Sequence, residues 1–461
     1  MASVSVSLSL LYCILLLLLL SITFSLASSI TIPLSHNDNS NTIQNPFQNL
    51  NQLVLSSLAR AHHLKYPHHH PHPTAKTQIF SHSYGVYSIS LSFGTPPQTM
   101  SFVFDTGSDI VWFPCTHHYD CKNCTFESSA GKISPFIPKR SSSTKTIACK
   151  NPKCSWIHDE QVHCPQCNNK RNCSQICPPY FILYGSGFTG GTALSETLHL
   201  NALTVPNFLV GCSVFSTIGQ PAGIAGFGRG PASLPNQLGL TKFSYCLISR
   251  KFDDTPKSSL LVLDSYYNTD KKTPGLVYTP FLDNPKVKDN PTFSVYYYIG
   301  LRRISVGSRS VKIPYKYSSP GKDGNGGTII DSGRTFTFMA GDAFEKLSSE
   351  LISQVKNYKR AVQIEQLTGL KPCFNASGAK ILQLPKLTLH FKGGAKLELP
   401  TENSFAFGEG VACLMVVTDG VEGLEERSGP GIVLGSFQMQ NFHVEFDLRN
   451  QRLGFNKEQC K

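Results

Sequence analysis

Short apolar runs that end at glycine, proline or asparagine recur along most of the chain. In residues 87–93 apolar side chains alternate with serines, and the sequence Gly-Thr-Pro-Pro at 94–97 follows. Such alternation predicts a half-buried strand that ends in a turn. Residues 444–446 and 453–455 flank Arg449 and Asn450, and they predict a hairpin in the same way. The pattern predicts a mostly β protein.

One segment has the periodicity of a helix. Between residue 342 and about residue 358, apolar side chains recur at spacings of three and four. They are Phe344, Leu347, Leu351 and Val355. Asp342 is expected to cap the N-terminus of this helix.

The composition fits a globular protein. The chain has 461 residues, of which 40% are hydrophobic, 10% aromatic and 16% charged, so a disordered or coiled-coil protein is excluded. Its length favours two or three domains. The 36 glycines and 29 prolines fit many short strands better than long helices.

The first residues have the character of a targeting segment. Residues 1–29 contain no charged side chain, residues 8–20 are nearly all aliphatic, and Ser25-Leu26-Ala27 are small or apolar. We expect a signal peptide that is cleaved after about Ala27. An uncleaved anchor is the alternative, because the positive charge usual before the apolar run is missing. The mature protein is expected to be soluble, in the extracellular fluid, the cell wall or the vacuole.

The cysteine count fits an oxidising compartment. Fifteen cysteines are present, and setting aside Cys13 in the signal peptide leaves 14, enough for up to seven disulfides. The pairs Cys121/Cys124 and Cys164/Cys167 have the spacing of zinc ligands, but zinc needs reduced thiolates, so no metal or other cofactor is expected. Asn123, Asn172 and Asn375 begin glycosylation sequons and are expected in surface loops.

The charge of the protein is basic but scattered. The net charge is +12, and no cluster of lysine and arginine with interleaved aromatic residues occurs. Nucleic-acid binding is therefore not expected, whereas an acidic cell-wall polymer is a candidate partner.

The segment from residue 28 to about residue 80 differs from the rest. Six of the 15 histidines lie between His62 and His72, and asparagine and serine are frequent before them. This composition is not expected to build a core. A solvated linker, a metal-binding tract, and a removable pro-segment that gains charge as the pH falls are all compatible with it.

A turn motif occurs twice. Apolar residues 102–104 run into Asp105-Thr106-Gly107-Ser108, and apolar residues 329 and 330 run into Asp331-Ser332-Gly333. Each copy is followed by a glycine-flanked apolar pair or triplet, at residues 223–226 and 431–435. One such motif is a common turn, but two copies in matched surroundings predict a duplicated chain with two lobes.

The chemistry of this pair is that of two adjacent carboxyls. Like charges a few ångströms apart cannot both ionise, so Asp105 and Asp331 are expected to share one proton. The ionised member can take a proton from water while the protonated member donates to a carbonyl. Gly107 and Gly333 allow the two turns to approach. The hydroxyls of the neighbouring Thr106 and Ser332 can join one turn to the other through hydrogen bonds.

These motifs resemble those of the pepsin-like aspartic peptidases, over nearly everything after residue 85. The sequence Tyr184-Gly185-Ser186-Gly187 is similar to the flap of that family, and Trp112 follows Asp105 by seven residues, as in the family. The resemblance implies a bilobal acid-protease fold, two duplicated β lobes with a cleft between them. It also implies that Tyr184, Gly185 and Ser186 close over a peptide and that Tyr184 bonds to the Trp112 indole.

The cysteine-rich stretch between Cys115 and Cys177 is similar to that of the plant nepenthesin-like branch. This likeness implies an insert with its own disulfides, a Cys373–Cys413 disulfide and a Cys246–Cys460 disulfide. We expect an N-terminal lobe over residues 81–290 with this insert, a C-terminal lobe over residues 291–461, and a monomer, since one chain supplies both aspartates.

Arg334 departs from the family pattern, because the family usually has Thr or Ser at this position, as Ser108 is in the first turn. The arginine removes a hydrogen bond to Asp331, and its charge would favour the ionised carboxylate. Alternatively, the side chain turns outward to solvent.

The sequence predicts a secreted aspartic endopeptidase that acts at acidic pH. The alternative is a catalytically weak or inactive pepsin-fold protein that inhibits a cell-wall glycoside hydrolase.

Overall fold

The structure is a computed structural model. It describes residues 29–36, 50–60 without 52, 56 and 59, 87–122, 134–158, 162–167, 173–185, 187–200, 203–218, 223–249, 258–265, 272–287, 291–378, 383–419 and 429–460. The expected signal peptide, the histidine-rich tract, and the sequons at Asn123 and Asn172 lie outside the described residues, as does Ser186 of the flap.

Strands are the main regular structure of the described chain, as the apolar alternation predicts. Those of the first part are β1 Ser29–His36, β2 Tyr87–Phe93, β3 Gln98–Asp105, β4 Trp112–Pro114, β5 Asp120–Cys121, β6 Lys145–Thr146, β7 Tyr180–Tyr184, β8 Gly187–Leu200, β9 Leu203–Ser216, β10 Gly223–Gly226, β11 Lys242–Cys246 and β12 Ser258–Asp264.

The second part continues this pattern. Its strands are β13 Val277–Pro280, β14 Tyr297–Ile299, β15 Leu301–Val306, β16 Arg309–Lys312, β17 Thr328–Ile330, β18 Thr337–Met339, β19 Cys373–Asn375, β20 Leu387–Phe391, β21 Lys396–Leu399, β22 Phe405–Gly408, β23 Val411–Leu414, β24 Val416–Val417, β25 Ile432–Leu434, β26 Phe442–Asp447 and β27 Arg452–Lys457.

The helices are short. They are α1 Pro152–His158, α2 Leu234–Gln237, α3 Gly341–Gln354, α4 Val362–Thr368 and α5 Ser436–Met439, together with single 3-10 turns. The described residues between 50 and 60 are also helical. No helix in the described ranges is long and apolar enough to cross a membrane.

The largest sheet joins both parts of the chain. It has 15 strands, and β26 pairs with β11 on one side and with β27 on the other. The pairing of β26 with β27 confirms the predicted hairpin. Phe243 of β11 lies opposite Phe446 of β26, and their rings stack with centroids 4.5 Å apart. Burial of large side chains of this kind contributes about 1.5–3 kcal/mol each to folding.

The duplicated motif corresponds to a duplicated arrangement of strands. β3, which ends at Asp105, pairs in parallel with β10. β17, which ends just before Asp331, pairs in parallel with β25 in the same manner. Each aspartate therefore lies at the end of a buried strand, beside the glycine-flanked apolar residues that the sequence repeats.

Three disulfides between described cysteines of the insert join Cys149 to Cys164, Cys154 to Cys177, and Cys167 to Cys173. A further disulfide joins Cys115 to Cys212. Cys164 and Cys167 thus have separate partners and do not form a zinc-binding pair. The two disulfides that the resemblance implies are also present, Cys246–Cys460 and Cys373–Cys413.

Two stretches of the segment from residue 28 to about residue 80 pack against the rest of the protein. β1 lies between β2 and β12 in the large sheet. Leu50, Leu53 and Val54 are buried in one apolar cluster with side chains of the second part of the chain. Composition correctly indicates that this segment has too few apolar residues for a core of its own. It folds against a surface that the rest of the protein supplies.

The predicted helix is present, but its ends differ from the prediction. It begins at Gly341 and ends at Gln354, so Asp342 lies inside the first turn rather than before it. The N-cap residue is Ala340, which has no side-chain capping bond. The Asp342 carboxylate instead accepts a hydrogen bond from the Tyr317 hydroxyl and pairs with Lys316 at 3.2 Å.

Candidate active site

The two repeated aspartates lie at corresponding strand ends and are shielded from solvent. Asp105 is 1% exposed and Asp331 is 0% exposed. The amide of Gly107 donates to Asp105 Oδ1 at 2.9 Å, and the amide of Gly333 donates to Asp331 Oδ1 at 2.9 Å. Each turn therefore holds its own carboxylate through a backbone amide two residues later.

The two turns are linked by reciprocal hydrogen bonds. The amide of Thr106 donates to Ser332 Oγ at 3.1 Å, and the amide of Ser332 donates to Thr106 Oγ1 at 2.9 Å. Ser332 Oγ in turn donates to the carbonyl of Phe104 at 2.9 Å. The contact that the sequence predicts between these hydroxyl residues is present, and it fixes the separation of the two turns.

Glycine is required in both turns because each approaches the other carboxylate. A Cβ atom at Gly107 would lie 2.7 Å from Asp331 Oδ1, and one at Gly333 would lie 2.3 Å from Asp105 Oδ1. Any side chain at either position would push the two turns apart.

One cation contacts both carboxylates. Arg60 Nη2 lies 2.9 and 3.0 Å from the two oxygens of Asp105, and Arg60 Nε lies 3.2 Å from Asp331 Oδ2. A planar guanidinium that reaches both acids requires them to be neighbours. Arg60 belongs to the helical stretch at residues 50–60 and occupies the space between the two acids.

The electrostatics of this group are set by burial and by the opposite charges. Burial raises the pKa of Asp105 to about 6, the charge of Arg60 lowers it, and the charge of Asp331 raises it. Burial disfavours the charged form of Arg60, but attraction to Asp105 and Asp331 outweighs that penalty, and its pKa is raised. The arginine therefore stays charged throughout the range in which carboxyls titrate.

The predicted flap is a hairpin beside these carboxylates. β7 ends at Tyr184, which pairs with Gly187 at the start of β8. The Trp112 indole donates to the Tyr184 hydroxyl at 2.9 Å, as the resemblance implies. The Arg60 guanidinium lies 5.8 Å from the centre of the Tyr184 ring. Trp112, Tyr184 and Gly185 thus lie at one side of the dyad.

Comparisons with known proteins agree with this geometry. Two protein-family models match, Xylanase inhibitor N-terminal over residues 87–263 and Xylanase inhibitor C-terminal over residues 296–457. A probable aspartyl protease of Arabidopsis thaliana is 34% identical over 427 residues, which cover 81% of this chain and 82% of that protein. Aspartic proteinase nepenthesin-1 of Nepenthes gracilis is 35% identical over 383 residues, which cover 82% of this chain and 78% of that protein.

The chain belongs to the pepsin-like aspartic peptidases. Its class is that of the aspartic-type endopeptidases, and peptides or proteins are the substrates that this class implies. The fold is supported separately by solved structures. That of edgp is 21% identical, with a TM-score of 0.64, covering 94% of this chain and 95% of that chain. Basic 7S globulin from soybean is 18% identical, with a TM-score of 0.61, covering 94% of this chain and 97% of that chain.

The two acids of this aspartic peptidase differ in their hydroxyl partners. Ser108 Oγ donates to Asp105 Oδ2 at 2.5 Å. The corresponding residue in the second turn is Arg334, whose Nε donates to the carbonyl of Phe336 at 2.7 Å. Its guanidinium lies 5.2 Å from the centre of the Phe338 ring. The arginine is 1% exposed, so the alternative in which it turns outward to solvent is wrong.

Two residues near the dyad were not found from the sequence. Arg60 is one of only two cations in the first 75 residues and follows a leucine-rich run, which is the signal that could have identified it. Asp109 is half-buried behind the first turn, where its Oδ2 accepts a bond from the Ala232 amide at 3.1 Å. Burial raises the pKa of Asp109 to about 7. Nothing in the local sequence distinguishes it from a turn aspartate.

A predicted glycosylation site and one group of possible metal ligands are separate from the dyad. Asn375 is exposed at the end of β19, and its Oδ1 accepts a bond from the Ser377 amide at 3.0 Å. Among the described residues, one group has a spacing that could hold a metal ion, Cys154, His158 and Cys177. The two cysteines form a disulfide, so they offer no thiolate to a metal.

Proposed function

We propose that the chain is the precursor of a secreted aspartic endopeptidase that hydrolyses peptide bonds at acidic pH. The observation that carries this proposal is the pair of buried carboxylates, Asp105 and Asp331, each held by its own turn and both bound to one guanidinium. A cation between two acids stabilises the doubly ionised state. In its absence, two such neighbouring acids retain one proton between them.

The proposed reaction uses that shared proton. The ionised carboxylate accepts a proton from water, the water oxygen bonds to the peptide carbon, and the protonated carboxyl donates to the carbonyl oxygen. A proton then passes to the amide nitrogen, the C–N bond breaks, and a carboxylic acid and an amine leave. Tyr184 and the flap cover the peptide, while Gly107 and Gly333 leave room beside the reacting atoms.

The segment that contains Arg60 is proposed to be an inhibitory pro-segment. Arg60 occupies the position between the acids that a reacting water needs, and Leu50, Leu53 and Val54 pack on the second lobe. The removable pro-segment is thus favoured over the solvated linker. Cleavage between residues 73 and 85, a stretch outside the described residues, would release it.

Several properties accompany this proposal. The apolar N-terminus and the six disulfides among the described residues support entry into the secretory route, to the extracellular fluid, cell wall or vacuole. Exposed Asn375 is a candidate glycosylation site. A monomer suffices for catalysis, since one chain supplies both acids. The net charge of +12 supports attraction to an acidic wall polymer.

The alternative function, inhibition of a cell-wall glycoside hydrolase, is not favoured. The two family models bear the name of xylanase inhibitors, but the relatives at 34% and 35% identity are named as proteases. Both acids are present, and their hydrogen bonds match in the two turns except that Arg334 stands where the first turn has the hydroxyl of Ser108. An inhibitor that acts through surface loops has no need of this arrangement.

Proteolysis of acid-denatured globin between pH 2 and 6 tests the proposal. The protein is expressed from residue 28 onward and processed to remove the pro-segment. Cleavage that a statine-type inhibitor blocks and that Asp105→Ala abolishes is the expected result. Asp120→Ala, at an exposed position of the same lobe, is the matched control and should leave cleavage unchanged. Absence of cleavage by processed protein would contradict the proposal.

A further inference from the structure

The second lobe presents a mixed apolar and polar wall to the proposed pro-segment. Leu50, Leu53 and Val54 are buried in one cluster with four aromatic side chains of this wall, which are Tyr296, Tyr298, Phe336 and Phe338. The Phe336 amide also donates to Ser57 Oγ at 3.1 Å. We call these four aromatic residues and Arg334 the second-lobe wall. Its aromatic side chains pack against Leu50, Leu53 and Val54 in the precursor, and departure of residues 50–60 would remove these contacts.

Arg334 is the polar residue of this wall with the most unused hydrogen-bonding capacity. Its side chain is buried, and its Nη1 and Nη2 have no hydrogen-bond partner among the described residues. The Tyr296 and Tyr298 hydroxyls on the same wall also lack partners there. Buried donors without acceptors are costly, and native proteins usually satisfy them. An acceptor for these donors is therefore missing in the described part of the precursor.

The orientation of Arg334 is fixed by its other contacts. Nε donates to the Phe336 carbonyl, and the guanidinium packs against the Phe338 ring. These two contacts use neither Nη1 nor Nη2, the pair of donors that a planar, doubly accepting group binds. A carboxylate has this geometry and binds a guanidinium through two parallel hydrogen bonds.

Arg334 also lies close to the dyad. It follows Asp331 by three residues, and it is near enough to Asp331 and Arg60 for both charges to change its pKa. Burial lowers the pKa of Arg334 to about 9, so the guanidinium is protonated at acidic and neutral pH. A substrate segment that extends along the cleft advances about 3.3–3.6 Å per residue. A side chain within a few residues of the scissile bond can therefore reach this wall.

We propose that Arg334 forms an anion-binding subsite that selects substrates with a glutamate or aspartate side chain near the scissile bond. The inference rests on the proposed function, since it assumes that a peptide takes the place of residues 50–60. In the precursor the Nη atoms of Arg334 donate to no acceptor among the described residues. A substrate carboxylate supplies an acceptor for these donors. A lysine side chain at the same place would be repelled, because it carries the same charge as Arg334.

Peptide cleavage by processed protein tests this subsite. Octapeptides carry Glu, or Gln as the matched neutral residue, at each position around one scissile bond, and kcat/KM is measured at about pH 5, where most of the Glu side chain is ionised. At one position, Glu should exceed Gln on the order of 10- to 100-fold, as charge-assisted hydrogen bonds allow. Cysteic acid at that position should also be preferred, because its sulfonate stays ionised at lower pH.

Three variants separate the charge from the fold. Arg334→Met removes the charge, Arg334→Thr introduces the hydroxyl usual in the family, and Arg334→Lys keeps the charge without the planar fork. The Glu preference should disappear in the first two and be reduced in the third. Arg302→Met, at an exposed position of the same lobe, should behave as the unmodified protein. A Glu preference that persists in Arg334→Met, or its absence at every position in the unmodified protein, overturns the proposal.

A binding measurement keeps this inference distinct from the proposed catalysis. The Asp105→Ala chain, processed at a protease site introduced between residues 73 and 80, is titrated calorimetrically with the Glu and Gln peptides. Tighter binding of the Glu peptide by about 10-fold or more, lost in Asp105→Ala/Arg334→Met, supports the subsite even where the unmodified enzyme cleaves nothing. Equal affinities for the two peptides overturn the subsite even where the enzyme is active.

Discussion

Arg60 Nη2 donates to both carboxylate oxygens of Asp105, at 2.9 and 3.0 Å, across 45 positions of the sequence. The same guanidinium reaches Asp331 through Nε at 3.2 Å, across 271 positions. The side chain is enclosed by the two turns and by the Tyr184 ring, which is 5.8 Å away. Removing one partner of a buried ion pair usually costs about 3–5 kcal/mol, because the other charge stays buried without compensation.

Replacing Arg60 should therefore weaken binding of the proposed pro-segment to the dyad. Arg60→Met removes the cation but keeps a long apolar side chain, and the precursor should cleave a peptide at neutral pH faster than the unmodified precursor. Arg60→Lys retains a charge at this place and should stay closer to the latent state. Initial rates on a fluorogenic peptide, before any processing is visible on a gel, are the measurement. Equal latency of Arg60→Met and the unmodified precursor would contradict the inhibitory role of Arg60.

The stabilising effect of Arg60 should depend on pH in a definite direction. Arg60 lowers the pKa of Asp105, so the guanidinium and the ionised carboxylate stabilise each other. That mutual stabilisation is present above the pKa that Asp105 would have without Arg60, and it is lost as the pH falls through about 6. The difference in unfolding free energy between the unmodified precursor and Arg60→Met should be larger at about pH 8 than at about pH 4.5.

Denaturant titrations of both precursors with Asp105→Ala in the background provide the control for this pH dependence. In that background, the effect of Arg60→Met on the unfolding free energy should lose the pH dependence that comes from Asp105. Suppose instead that the stability difference between the chain with Arg60 and the Arg60→Met chain falls equally with pH in both backgrounds. The effect would then belong to another group.

Features that depend on neighbouring residues were predictable from the sequence. The alternation in residues 87–93 gives β2, and the two Asp-containing turns follow buried strands, as predicted. The apolar face of α3 is also predictable, but its first turn is not, because the sequence does not distinguish Asp342 from a capping residue that stands just before a helix. The helix begins at Gly341, and Tyr317 and Lys316 bind the carboxylate instead.

Features that depend on distant surfaces were not predictable. Arg60 finds its partners in two turns that lie far along the chain, and its neighbours Leu50, Leu53 and Val54 are buried by the second lobe. The orientation of Arg334 has the same origin. An arginine in a glycine turn usually points to solvent, but here the Phe336 carbonyl and the Phe338 ring hold it in the interior.

Ser332→Ala should destabilise the junction of the two turns. The substitution removes the acceptor of the Thr106 amide and the donor to the Phe104 carbonyl, and both backbone groups are buried. An unsatisfied buried polar group costs about 1–3 kcal/mol. Chemical denaturation should show a loss of this order, whereas Ser349→Ala, exposed on α3, should stay within about 0.5 kcal/mol of the unmodified protein. Equal stability of the two variants would show that the reciprocal bonds are dispensable.

Tyr184→Phe should weaken the flap without disturbing the dyad. The variant removes the acceptor of the Trp112 indole, a bond of 2.9 Å, and leaves the ring in place. Loss of one such buried bond should lower kcat/KM on the order of 10-fold. Burial of Asp105 and its bonds to Gly107 and Ser108 do not involve this hydroxyl, so the pH dependence of the rate should keep its shape. A changed pH profile in Tyr184→Phe would place the hydroxyl in the proton transfers themselves.

Asp109 provides a second pH-dependent contribution to stability, independent of Arg60. Burial raises its pKa from 3.8 to about 7, so the folded protein binds a proton that the unfolded chain has already released. The stabilisation due to this proton is complete below about pH 4 and is lost as the pH rises through about 7. Asp109→Asn keeps an oxygen for the Ala232 amide and cannot ionise. As the pH rises from about 4 to about 8, the free energy of unfolding of Asp109→Asn should therefore increase relative to that of the unmodified protein by a few kcal/mol. Thermal unfolding of both proteins across this pH range measures the increase, and Asp120→Asn, at an exposed position, is the control. If the stabilities of Asp109→Asn and the unmodified protein change with pH in parallel, Asp109 titrates as an ordinary surface carboxyl.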